Sequence, residues 1–408
     1  MIMTNKNIDK YSPLFGSPFL VWVFMWVNAI DDVALYVDWP DCNFYRVDML
    51  YKTHDLWSTL KKPSIDTRLY FSWVMPNKMI TWYDDKIEHK LKFIEKNDSF
   101  KMWIITSMPV TSLLWIQYNS IFSDFKKPFI YVPSYTDKFR IDWYNILLKE
   151  LSKNVELNTT KEKKKNNISL IWYLFDRNEW DCLWNINEIK RLLNALWVTI
   201  NTIWLNGWSY DSLSEVENSE LIVSLPYWKY ASKTLSKRLW IDFIETSIPF
   251  GLINTIKFIE QIWLKLWIEE SLIKDLIKNE ITDLNKKKNI LNNNIFEAKK
   301  LVYAWDPFLE EWIKDICNFL WLIHIKSYNY MWWKDWDKND FKDNKLDIVV
   351  WNSDFDIEWL NYEKMEFGFP SYNKHYISER PYMWFLWLTN FIEDLYNQLA
   401  NKKELWKK

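Results

Sequence analysis

Glycine is the residue this chain most conspicuously lacks: four in 408 residues, where an ordinary protein carries about 7%. A folded α/β chain needs glycine wherever φ is positive or backbones approach closely, so another residue must occupy those positions. Cysteine is nearly as scarce. Cys42, Cys182 and Cys317 are too few for a disulfide framework and too far apart for a zinc knuckle or redox pair, which suits a reducing cytoplasm. No charge of one sign dominates: 52 basic residues face 54 acidic ones, a formal charge of -2. That balance offers no electrostatic footprint for nucleic acid or an anionic membrane, and favours small-molecule or protein partners. Long apolar runs are missing too. Met1 to Lys10 is polar, without the apolar stretch of a signal peptide, and Phe19 to Ile30 is too short to span a bilayer, so a cytoplasmic location is expected. No Ser-His-Asp arrangement, P-loop or His/Glu zinc motif is found.

Tryptophan is present in excess, at 30 residues. Its number and that of glycine together match the ordinary frequency of glycine alone. Position makes the same point. Three segments repeat one pattern, an amphipathic helix ending in leucine, then tryptophan, then an aliphatic strand: Leu196-Trp197-Val198, Leu239-Trp240-Ile241 and Leu320-Trp321-Leu322. The middle slot is the residue after a helix end, whose left-handed backbone favours glycine. Trp39, Trp305, Trp351 and the pair Trp332-Trp333 stand in segments that read as loops after strands. The economical reading is a gene that uses UGA for glycine, translated with a code that reads UGA as tryptophan. The alternative, a Trp-rich protein with stacking platforms for sugars or bases, would cluster its indoles on one surface. Trp204, beside Gly207, is the best candidate for a genuine tryptophan.

With those positions taken as glycine, strand and helix patterns alternate along the chain. Val33–Val37 reads as a short buried strand and Asp38 to Cys42 as the loop at its carboxyl end. Strands are expected near 103–107, 129–133, 168–174, 198–203, 221–225, 241–246, 300–304, 322–325 and 347–350, with helices over 186–196 and 229–239. Polar stretches at 161–167 and 285–294 divide the chain into three domains, 1–160, 168–284 and 295–408. The expected fold class is α/β: three Rossmann-like domains with parallel sheets. Ligands should then bind beyond strand carboxyl ends, at the loops 38–42, 176–181, 305–307 and 351–353.

Several segments, in order, resemble the nitrogenase component 1 family, which includes nitrogenase α and β subunits and light-independent protochlorophyllide reductase. Asp38-Trp39-Pro40-Asp41-Cys42 resembles the family's His-Gly-Pro-x-Gly-Cys loop, one residue shorter and without the histidine. Glu188 to Trp197, following Asp181, resembles its Glu-Leu-Lys-x-Leu-Leu-x-x-x-Gly helix, and Pro249-Phe250-Gly251 with Thr255 its Pro-x-Gly-x-x-x-Thr. Glu366-Phe367-Gly368-Phe369-Pro370, His375 and Pro381-Tyr382-Met383-Trp384-Phe385 match its Gly-Phe-Pro, His and Pro-x-x-Gly-Phe run, the most specific of these clusters. The resemblance implies an oxidoreductase subunit acting as a homodimer or beside a related subunit, fed by an ATP-dependent iron–sulfur reductase.

It also implies site residues. Cys42 falls where the family has a thiolate ligand of an iron–sulfur cluster, with Asp41 or Asp38 as an oxygen ligand to complete the set; otherwise Cys42 is a buried free cysteine and the aspartates solvate a loop. His375 keeps the register of the family's cofactor histidine, as an acid/base group or as a packed histidine, and Asp181 is expected to border the same cleft. The remaining ligand positions fall near Ser17 and Pro109, and the cysteine of the large metal cofactor becomes Ser232. A nitrogenase-type molybdenum cofactor and dinitrogen reduction are therefore not expected.

Overall fold

The computed structural model describes residues 30–31, 33–39, 44–50, 68–73, 88, 91–92, 95–96, 101–106, 118–132, 140–171, 180–204, 208–226, 228–291, 293–305, 309–329, 346–351, 362–367, 379–381 and 383–400. Its elements begin with β1 (Ile30–Asp31), β2 (Val33–Trp39), β3 (Phe44–Leu50), β4 (Arg68–Trp73), β5 (Met102–Thr106), α1 (Tyr118–Ile121), β6 (Phe129–Val132) and α2 (Arg140–Asn154). There follow β7 (Asn167–Ile171), α3 (Trp180–Ala195), β8 (Thr199–Trp204), β9 (Trp208–Ser209), β10 (Leu221–Ser224), α4 (Lys229–Leu239) and β11 (Asp242–Glu245). The last are α5 (Gly251–Leu266), α6 (Glu270–Lys288), β12 (Lys300–Trp305), α7 (Glu310–Leu320), β13 (Ile323–Asn329), β14 (Ile348–Trp351), β15 (Glu363–Glu366) and α8 (Trp384–Ala400). The chain forms two compact units. One holds Met1–Glu162, Thr202–Asn218 and Trp228–Ile241; the other holds Lys163–Asn201, Ser219–Tyr227 and Asp242–Lys408.

Strands form where short aliphatic runs can be covered on both faces, as parallel sheets require. Met102, Trp103 and Ile104 of β5 are fully buried, as are Leu221, Ile222 and Val223 of β10 and Ile348, Val349 and Val350 of β14. Helices follow the other period. Ile189, Leu192, Leu193 and Leu196 line one stripe along α3 and its end, and all are buried. In the first unit the Arg238 guanidinium of α4 donates to Ser152 O at 2.7 Å and Val155 O at 3.0 Å, satisfying carbonyls at the end of α2.

The strand order repeats. The middle sheet runs β11-β10-β7-β8 and the third β13-β12-β14-β15. In each, the second strand lies on one side of the first and the third and fourth lie on the other. β7, β10 and β11 are parallel, and so are all four strands of the third sheet. The first sheet, β4-β3-β2-β5-β6, differs in two ways: it has a fifth strand, so that two strands, β3 and β4, lie on one side of β2, and those two are not parallel to each other. β2, β5 and β6 are parallel, but β3 returns antiparallel to β2 and β4 antiparallel to β3. The expected α/β class holds, and the strand after the first is a reversed neighbour where a parallel one was expected.

Candidate functional site

In each sheet the chain crosses from one side of its first strand to the other, and in open α/β sheets ligands bind at the strand carboxyl ends beside such a crossing. The three switch points are β2/β5, β7/β10 and β12/β14.

At the first, Val37 of β2 pairs with Thr106, the last residue of β5. Cys42 and Asp41, and the Ser17 and Pro109 positions, lie outside the described residues. Asp38 does not stand in a loop as expected. It is the penultimate residue of β2, paired with Tyr45 of β3, and Trp39 pairs with Phe44. The ladder runs on because an antiparallel return lets the strand continue to its turn, which a crossover helix would not.

At the second, Leu225 N donates to Ile171 O at 3.1 Å and Thr246 N to Ser224 O at 2.9 Å, holding the ends of β7, β10 and β11 level. Asp181, read as the end of a loop, is the second residue of α3, as Cys182 is the third. After β11 the chain enters α5 through Pro249 and Phe250. Gly251 takes φ of 74°. The buried Thr255 hydroxyl sits 3.1 Å from Pro249 O and 2.6 Å from Gly251 O, to which it can donate. The Asp315 carboxylate accepts from Ile253 N at 3.4 Å and thereby caps the helix start; burial raises its pKa against the opposing pull of those backbone donors. The Pro-x-Gly-x-x-x-Thr pattern is thus a device for starting α5 at the end of a strand.

The third edge meets this one within the same unit. Phe367, whose N–H donates to Trp351 O at 2.7 Å, packs edge-on to Phe250 with centroids 5.9 Å apart. Trp312 and Phe391 close the cluster. Trp305 and Trp351, expected in loops, are the last residues of β12 and β14; Trp351 pairs with Ala304 and Glu366. His375 lies outside the described residues. The chain that follows it is anchored by Asn185, whose side-chain oxygen accepts from Met383 N at 3.1 Å, so the run beginning at Pro381 is tied to the helix that carries Asp181. Sequence reasoning missed Asn185. Its signal was a polar residue in the stripe completed by Ile189, Leu192 and Leu196, since a buried amide must find partners.

The other candidates resolve as structural. Cys317 is buried in α7, where burial pushes its thiol up to about 12, unlike a ligand or nucleophile. His324, given no partner from sequence, faces the Ser327 hydroxyl at 2.9 Å. Ser232 is fully buried on α4, and its hydroxyl finds no acceptor or donor among the described residues. Among the described residues no three His, Cys, Asp or Glu come together as a metal site. No described helix is long and apolar enough to cross a membrane.

Among the described residues four tryptophans have left-handed backbone: Trp197, Trp240, Trp267 and Trp321, with φ from 54° to 61°. Trp204, by contrast, is fully buried in β8 and donates its indole N–H to Leu213 O at 3.1 Å.

No family model and no curated protein matches the chain by sequence. Its fold is similar to that of a solved structure of nitrogenase Cp1 at pH 6.5, with a TM-score of 0.70 at 15% identity over 95% of this chain and 93% of that one. A structure of nitrogenase Cp1 at pH 5 gives 0.68 at 10% identity, over 94% and 88% of the two chains. At such identities the likeness shows the fold, which spans nearly the whole of each chain.

Proposed function

We propose that this chain is a nitrogenase component 1-like oxidoreductase subunit performing reductive chemistry on a substrate other than dinitrogen. The observation that supports it most is the likeness in fold to nitrogenase Cp1 across 95% of this chain and 93% of that one. The motif order along the sequence points the same way. The proposed division is three Rossmann-like domains over 1–160, 168–284 and 295–408. The chain works as a homodimer or beside a related subunit and takes electrons from an ATP-dependent iron–sulfur reductase.

In this reading Cys42 ligates an iron–sulfur cluster, and Asp41 or Asp38 supplies an oxygen ligand. The cluster would relay electrons. A four-iron cluster needs about four ligands, and one thiolate per chain provides half of them in a dimer. Asp181 and His375 are the proposed acid–base groups of the substrate cleft. A second reading, a cofactor-assembly scaffold or small-molecule binding relative, is favoured by serine or proline at three ligand positions, Ser17, Pro109 and Ser232.

The test is anaerobic reconstitution of the glycine-bearing protein and its Cys42→Ser variant with iron and sulfide. Bound iron and visible absorption should appear in the first and drop to background in the second. Equal iron in both, or none in either, removes Cys42 from the site and leaves the scaffold or binding reading.

A further inference from the structure

A helix end with left-handed backbone suits glycine and penalises any residue with a Cβ. The chain has such ends after α3, α4, α5 and α7. Each carries the hydrogen bonds of a glycine cap. Past the left-handed residue, Val198 N donates to Leu193 O, Ile241 N to Ser236 O and Leu322 N to Cys317 O, at 3.0, 3.3 and 2.8 Å, the long-range bond of the Schellman motif. After α5 the simpler form appears, with Trp267 N donating to Trp263 O at 3.0 Å. The residue in all four slots is tryptophan, and its indole is left in water: Trp197 is 75% exposed, Trp240 89%, Trp267 91% and Trp321 63%. Such a residue gains neither the burial that favours tryptophan nor a backbone it can adopt cheaply. Trp267 is the informative member, because it lies outside the repeated helix–Trp–strand pattern and its position follows from the backbone alone.

Two other tryptophans behave in the opposite way. Trp204 is fully buried with its indole N–H bonded to Leu213 O. Trp263, half-buried on α5, donates its indole N–H to Ile268 O at 2.6 Å. A bonded indole N–H is what a buried or interfacial tryptophan requires.

We propose that residues 197, 240, 267 and 321 are glycine in the protein as its own cell makes it, read from UGA codons, while Trp204 and Trp263 are tryptophan read from UGG. The backbone and the indole donor together decide the identity of each position. This assignment stands apart from the functional reading.

The experiment is peptide mass mapping of the protein from its source cells, set beside the codons of its gene. Glycine at the four caps over UGA, with tryptophan at 204 and 263 over UGG, is the expected result. Tryptophan in any cap peptide, or glycine at 204 or 263, overturns the assignment. A recombinant pair gives a second readout. The chain with W197G, W240G, W267G and W321G should unfold at higher temperature than the all-tryptophan chain, each replacement raising the folding equilibrium constant about five- to thirty-fold. Trp204→Gly should lower the melting temperature. A quadruple variant no more stable than its parent also overturns the proposal.

Discussion

Cys317 shows what a single buried residue can be asked to reveal. It is 1% exposed on α7, and desolvation pushes its thiol from about 9 up to about 12. The thiolate is the reactive form, so the native protein at pH 8 should leave Cys317 unmodified by a thiol-alkylating reagent, with labelling appearing only in denaturant. Peptide mass spectrometry after alkylation reads this directly; labelling of Cys317 in folded protein would contradict its burial. The sign of the pH effect follows. Above pH 9 the unfolded chain releases this proton while the folded chain keeps it, so this thiol's contribution to stability is intact below 9 and declines as pH rises toward 12.

Among the elements, α5 and α3 are the ones whose placement depends on named residues. Gly251 opens α5 at φ of 74°, and a Cβ there would lie 2.1 Å from Trp312 Cδ1. Gly251→Ala combines left-handed strain with a steric overlap in the aromatic cluster, so it should cost about 2–4 kcal/mol, read as a lower urea midpoint. A loss under half that would mean that Trp312 can swing away, or that glycine stands at 312 as well. On α3, Arg191 donates to both oxygens of Glu188 at 2.8 Å and to Glu280 of α6 at 2.7 Å, and the two carboxylates together raise the guanidinium's pKa. Arg191 is half-exposed, but Glu188 is 5% exposed and would be left without this partner. Arg191→Met should therefore destabilise by about 1–3 kcal/mol, and adding Glu188→Gln should restore part of the loss. Full additivity of the two changes would contradict the pairing.

At the scale of the whole molecule, the proposed cluster draws ligands from two copies of the chain. The glycine-bearing protein, reconstituted anaerobically, should therefore run as a dimer in light scattering, and Cys42→Ser should weaken that dimer. A monomer at micromolar concentration with full iron content would exclude a cluster shared between copies.

Much of this fold was legible in the residues because periodicity, helix ends and short aliphatic runs are local signals. The helix over 229–239 and the strands near 129, 221, 300 and 347 follow directly from them, and so does the abnormality of tryptophan after α3, α4 and α7. Strand direction was not legible. A hairpin and a crossover loop use similar turn residues, so the antiparallel return of β3, and with it the place of Asp38 inside β2, depended on which strand the chain met next. Trp305 and Trp351 end strands for the same reason, since a ladder stops where its partner stops. The residues that join distant parts were equally hidden. Asn185 finds Met383 198 positions away, and Asp315 caps a helix 62 positions upstream. Sequence thus determined what each segment is, because a segment's own period and caps make it helix or strand; tertiary structure alone decided what each faces, because pairing and capping partners are chosen by packing across the chain.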